Sequence, residues 1–186
     1  SRNLFYATLG SGVGGAFIFD GLIWRGKAGF AGEFGYVAIN SEGMRLEDVA
    51  SSANIIRRTR SRILQDSTSS LSSLEAADIG IFDIVSAAET EDDLAQMMLG
   101  RTGDYVGTAI ASVINLLNIE TIVLGGELME AGHYVLDAVV SRARELSFGP
   151  SFASTRIVSG TLGRNAAAAG VALIAADGQE DAAPKR

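Results

Sequence analysis

The stretch "YATLGSGVGGAFIFDG", residues 6–21, sets four glycines between two apolar runs and a fifth, Gly21, after the second. Bare backbone of this kind serves a tight turn, a crowded sheet corner, or a loop whose N–H groups hold a phosphate, with the Ser11 hydroxyl as an added donor. A strand rather than a helix follows, so the pattern is not a dinucleotide fingerprint, and no G-K-[ST] ending marks a P-loop. On the residues alone, Gly10, Ser11 and Gly12 are either a phosphate cradle or a plain hairpin. Glu33, in "AGEFGY", lies among glycines and aromatics, where a carboxylate needs a polar partner. A sugar hydroxyl and a nearby backbone N–H serve that need equally. Glu47 and Asp48 open a helix, where acids are favoured by the dipole, which is reason enough for Asp48. Gly125 and Gly126 close a short apolar run, and the carboxyl end of such a strand is where open α/β sheets take ligands. His133 is the sole histidine of a chain without cysteine, and reads as a surface or capping residue rather than a metal ligand.

The elements that must hold these residues follow from periodicity. Residues 3–9 and 14–19 are β-branched and aromatic runs, and Asp20-Gly21 is a hairpin signal leading into "LIWRG", which predicts an antiparallel meander. A further strand is expected over residues 36–40. From Leu46 the period becomes helical, with Ile55, Ile56, Ile63 and Leu64 on one face of residues 52–64 and Arg57, Arg58, Arg60 and Arg62 on a solvated one. Residues 66–74, "DSTSSLSSL", read as a loose surface loop. A short helix over residues 82–88 follows. Thr90-Glu91-Asp92-Asp93 caps a long helix to about Asn118, with Leu94, Met98, Tyr105, Ile110, Val113, Ile114 and Leu117 inward. Gly100, Gly103 and Gly107 within it indicate close helix packing or a bend. A buried strand at 122–124, a helix from about Gly132, a strand at 155–159 and an alanine-rich helix over 165–176 complete the series. Residues 177–186 read as a frayed, disordered tail.

Composition narrows the class. The 186 residues are 47% hydrophobic and 20% charged, which predicts a packed globular chain rather than disorder. A net charge of -7 argues against gripping nucleic acid directly. No run is long enough to cross a bilayer and no signal peptide is evident, so no membrane role and a cytoplasmic location are expected.

Three stretches together resemble the ROK family of bacterial sugar kinases and repressors: "TLGSGVGGAFIFDGLIWRGKAGFAGEFGYVAI", "RLEDVASSANIIRRT", and "IASVINLLNIETIVLGGELMEAG" with "AAAAGVALIAA" behind it. They are spread over residues 4–176. The resemblance implies an α/β, actin-like ATPase (ribonuclease H-like) fold, a mixed sheet flanked by helices. Residues 1–176 would be the carboxyl-terminal lobe of a two-lobed protein. The first phosphate loop and the general-base aspartate belong to an amino-terminal lobe outside these residues, so the chain by itself is expected to be inactive. By the same resemblance Gly10, Ser11 and Gly12 form the second phosphate loop, Gly125 and Gly126 lie under adenosine, and Glu33, Tyr36 and Glu47 meet sugar hydroxyls.

The departures from the family pattern matter as much. Where relatives carry a histidine that serves both sugar and zinc, this chain has Tyr36, and "NSEGMRLE" passes to the helix without the cysteine loop, so no zinc is expected. A tyrosine offers one hydroxyl but not a metal-fixed imidazole. Two readings stand: the effector-sensing lobe of a sugar-responsive transcriptional regulator, with DNA held through an upstream winged helix-turn-helix, or an ATP-dependent kinase of hexoses or N-acylhexosamines using ATP with Mg2+. Either implies a small-molecule sugar as ligand and a homodimer.

Overall fold

The computed structural model describes residues 1–65 and 68–176; the expected tail at 177–186 lies outside the described residues. Five strands form one mixed sheet. These are β1 (Leu4–Leu9), β2 (Val13–Phe19), β3 (Leu22–Trp24), β4 (Thr121–Gly125) and β5 (Arg156–Ser159), in the order β3-β2-β1-β4-β5. β1, β2 and β3 are the expected antiparallel meander, while β1–β4 and β4–β5 are parallel. Asp20 and Gly21 both have positive φ, 54° and 84°, the backbone that a two-residue hairpin matched to strand twist requires.

Seven helices are described: α1 (Glu47–Ala50), α2 (Ser52–Ile63), α3 (Ile81–Glu89), α4 (Asp93–Leu117), α5 (His133–Leu146), α6 (Gly149–Ala153) and α7 (Ala166–Ala176). Side chains alternate across the sheet. Phe5, Ala7, Leu9, Ile122 and Leu124 belong to one buried cluster with Ile110 and Ile114 of α4 and Val135 and Val139 of α5. The alternate residues Tyr6, Thr8 and Val123 are not fully buried, and they mark the other face. Part of the first glycine cluster answers to packing: a Cβ on Gly15 would lie 2.6 Å from the Phe5 ring, which itself stacks on Phe17 at 4.6 Å between centroids. Among the described residues no helix is long and apolar enough to cross a membrane.

Helix α4 begins and ends where its residue types dictate. The Asp92 carboxylate accepts the Ala95 N–H at 2.9 Å, and Asn118 closes the helix in the left-handed region at φ 44°. Gly103 and Gly107 let α5 approach closely: a Cβ on either would lie 2.6 Å from the Ala138 Cβ or 2.7 Å from the Val139 carbonyl, respectively. Gly100 meets nothing within 4 Å.

Four expectations are corrected. Residues 36–40 are not a strand. Phe34–Tyr36 is a 3₁₀ turn, Ala38 makes an isolated bridge to Arg45, and Asn40 Oδ1 folds the chain back by accepting the Glu42 and Met44 N–H groups. The serine-rich connector is tied down where it is described. Ser70–Ser73 is a 3₁₀ turn, Leu71 is buried, and Asp92 accepts from the Ser69 and Ser70 hydroxyls. The arginine face is only partly solvated: Arg58 donates to the Val49 carbonyl and the Thr102 hydroxyl, and Arg60 to the Ala77 and Ile79 carbonyls. Burial draws the Arg58 guanidinium below its ordinary pKa. Leu64 and Leu117, at helix ends, are exposed rather than inward. Tyr105 packs against the core as expected, half-buried, with the Arg58 guanidinium 5.5 Å from its ring centroid.

Candidate functional site

The carboxyl ends of β1 and β4 lie side by side, and from there the chain turns away in opposite directions, β1 toward β2 and β4 toward β5. A crevice opens at such a divergence because no connection covers it. Here it is a cavity of about 590 Å³ bordered by Gly10, Ser11 and Gly12 on one side and Gly126 and Glu127 on the other, with Glu47 at its edge.

The loop between β1 and β2 is held from below. Its Gly10 N–H donates to the Gly12 carbonyl at 3.0 Å, and the Gly10 carbonyl accepts the Ser52 N–H at 2.7 Å. Ser52 starts α2 and is buried, and its hydroxyl donates to Glu127 Oε1 at 2.6 Å. The Val13 N–H, where the loop enters β2, donates to Glu47 Oε2 at 2.9 Å. Gly126, at φ 93°, packs so tightly on the end of β1 that a Cβ there would lie 2.7 Å from the Leu9 nitrogen.

The structure thus brings Gly10, Ser11, Gly12, Glu47 and Gly126 to one cavity. Gly125 is buried beneath the Tyr6 ring, and it borders a neighbouring apolar cavity of about 570 Å³ between the open sheet face and α7. Glu33 is exposed and edges a separate apolar groove of about 370 Å³ with Phe5, Phe17 and Trp24. Tyr36 is 61% exposed, with the Arg45 guanidinium 4.4 Å from its ring centroid. It stands one residue from Gly35, where a Cβ would lie 3.2 Å from the Glu47 Cβ, so the Glu33–Tyr36 turn flanks Glu47 without joining the loop cavity. His133 is exposed at the start of α5, and its ring lies against that of its neighbour Tyr134 at 4.0 Å between centroids.

Sequence reasoning missed Ser52 and Glu127. The available signals were an acid placed directly after the glycine pair and a serine at a helix start, and neither shows that the two meet.

The wall chemistry is acceptor-rich. Among the described side chains that line the loop cavity are two carboxylates, Glu47 and Glu127, and no lysine or arginine. Two of the loop's amides are already committed, Gly10 to Gly12 and Val13 to Glu47. Hydroxyl groups, which donate as well as accept, suit the two carboxylates of such a wall. No group of three or more metal-ligating side chains occurs among the described residues.

Comparison with known proteins agrees on the family. Residues 1–178 match the ROK family. A glucokinase of Halalkalibacterium halodurans is 34% identical over 151 residues, 75% of this chain and 46% of its own length. Among solved structures, a ROK family transcriptional regulator homologous to the E. coli MLC protein superposes with a TM-score of 0.79 at 32% identity, over 86% of this chain and 42% of that one. A ROK family glucokinase from Streptomyces griseus, solved with glucose and AMPPNP, superposes at 0.87 with 24% identity, over 95% of this chain and 61% of that one, and shares the fold. The chain spans about half the length of the proteins it matches.

Proposed function

The chain belongs to the ROK family, and on that premise we propose that it is the effector-binding lobe of a sugar-responsive transcriptional regulator. The observation that carries this reading is the loop cavity's acceptor-rich wall, which Glu47 and Glu127 line and where two of the glycine loop's amides are already bonded to protein acceptors. A neutral polyol donates hydroxyls to such carboxylates. Phosphoryl transfer instead depends on positive charge gathered around the phosphates and on a positioned base. Glu47, with one oxygen on Val13, is the primary sugar contact; Glu33 and Tyr36 flank it on the adjoining turn, outside the loop cavity, where a sugar reaching past Glu47 would meet them. Tyr36 and the short residue 37–46 segment fit sensing, which needs binding selectivity but not a near-attack geometry.

In this account an upstream winged helix-turn-helix, outside these residues, holds DNA, and the protein works as a homodimer in the cytoplasm. The alternative reading is an ATP-dependent kinase of hexoses or N-acylhexosamines. The similarity to glucokinase and the outline of a second phosphate loop at Gly10, Ser11 and Gly12 favour it, with the general base and Mg2+ site completed by the other lobe.

The test uses the intact protein. Calorimetric titration with glucose and N-acetylglucosamine, alongside ADP release in the presence of Mg·ATP, separates the two. The regulator reading expects saturable binding of a sugar, sugar-dependent release of operator DNA and no sugar-dependent ADP. Sugar-dependent ADP release at enzymatic rates contradicts it.

A further inference from the structure

Tyr6 separates the two cavities at the carboxyl end of the sheet. It sits on β1 with Ala16 of β2 and Val123 of β4 as its register partners, on the face opposite the core. Its ring does not stand over its own strand but leans diagonally onto β4, within the reach an aromatic side chain has across neighbouring strands. A Cβ on Gly125 would lie 2.8 Å from the Tyr6 Cζ and 2.9 Å from its Cε2, and would collide with the hydroxyl. Gly125 therefore lacks a side chain because Tyr6 fills the space above it.

That space is the passage between the cavities. Tyr6 borders both the loop cavity and the apolar one, whose floor is made by Leu4, Ile18, Val123 and Val158. A ligand longer than one sugar ring, with its anionic end at the glycine loop, would carry a planar base across Gly125 onto that apolar floor, and the phenol ring already lies over Gly125. We propose that Tyr6 is a specificity-determining residue: its ring excludes a purine base from the Gly125 floor and so limits the cleft to a compact polyol at Glu47. The inference rests on reading the loop cavity as the ligand site. Trimming the ring should open the passage.

The experiment measures Mg·ATP and glucose or N-acetylglucosamine binding to the intact protein by calorimetry, for the native chain, Tyr6→Val, Tyr6→Leu and Tyr6→Phe, with thermal melts to identify folded variants. Tyr6→Val, or Tyr6→Leu if valine impairs folding, is expected to bind Mg·ATP at least about tenfold more tightly than the native chain, a ratio read directly from the two dissociation constants. Tyr6→Phe keeps the ring and should exclude nucleotide as the native chain does. Native protein that binds Mg·ATP as tightly as the trimmed variants overturns the proposal, and so do folded trimmed variants that gain no affinity. Failure of the sugar titration counts against the functional reading alone, because the nucleotide comparison is judged independently of it.

Discussion

The Glu47 carboxylate accepts the Val13 N–H through Oε2 at 2.9 Å, tying the start of α1 to the first residue of β2. The same side chain therefore shapes the glycine loop and lines the cavity. Glu47→Ala should leave a half-buried amide unpaired, costing about 1–2 kcal/mol. Glu47→Gln retains an acceptor for Val13 but converts the ligand-facing oxygen. Thermal melts should show alanine well below glutamine, while sugar titration should show both weakened by at least about tenfold, as expected for loss of a charged hydrogen-bond partner. Equal stability and unchanged sugar affinity in both would remove Glu47 from the site.

Ser52 joins the loop to the opposite rim, with its N–H on the Gly10 carbonyl and its hydroxyl on Glu127. Ser52→Ala keeps the first bond and loses the second. The expected cost is about 1 kcal/mol of stability, with a larger relative effect on ligand affinity because Glu127 loses its orientation. A sugar dissociation constant that does not move would place Glu127 outside recognition.

The α4 glycines make a paired prediction. Gly103→Ala sets a methyl 2.6 Å from the Ala138 Cβ and the Val135 carbonyl, and overpacking of this kind costs about 1–3 kcal/mol. Gly100→Ala meets open space within the same helix, so it should stabilise by about 0.5–1 kcal/mol. Chemical denaturation of the two variants should therefore move in opposite directions.

Asp92 carries a pH dependence with a definite sign. Burial acts to raise its pKa, but hydrogen bonds from the Ala95 N–H, the Ser70 and Ser69 hydroxyls and the Ser70 N–H outweigh it and leave the carboxyl below its ordinary 3.8. A carboxyl depressed in the folded state contributes stability above its unfolded pKa and loses it as pH falls through the folded value. Asp92→Asn should thus be destabilising at neutral pH, and the gap to the native chain should narrow as pH drops below about 3.8. Melts across that range that run parallel would refute the assignment.

Much of the architecture was legible from local chemistry. The Asp20-Gly21 hairpin, the Asp92 cap and the close approach at Gly103 and Gly107 each follow from a residue type whose conformational demands are narrow. The segment after Gly35 misled because Val37 and Ile39 alternate like a strand, whereas Asn40 folds the chain back through its side chain. Arg58 and Arg60 could not be placed from periodicity, since their partners Thr102 and Ile79 come from other elements. At the candidate site, the strand-end rule pointed to Gly125 and Gly126, whereas the pairing of Gly126 with the Gly10 loop came from the family resemblance, since the residues of that loop read equally as a hairpin. The Tyr6 ring over Gly125 followed from neither, because it depends on the parallel register of β1 and β4, which adjacent residues do not encode.

Sugar occupancy of the cavity between the glycine loop and Gly126 is the decisive point. Amide spectra of glycine-labelled intact protein, titrated with glucose and N-acetylglucosamine, test this directly. Saturable shifts at Gly10, Gly12 and Gly126 are predicted for the sugar that binds. Shifts confined to Gly32, beside the Trp24 groove, with those three glycines unmoved, would contradict it.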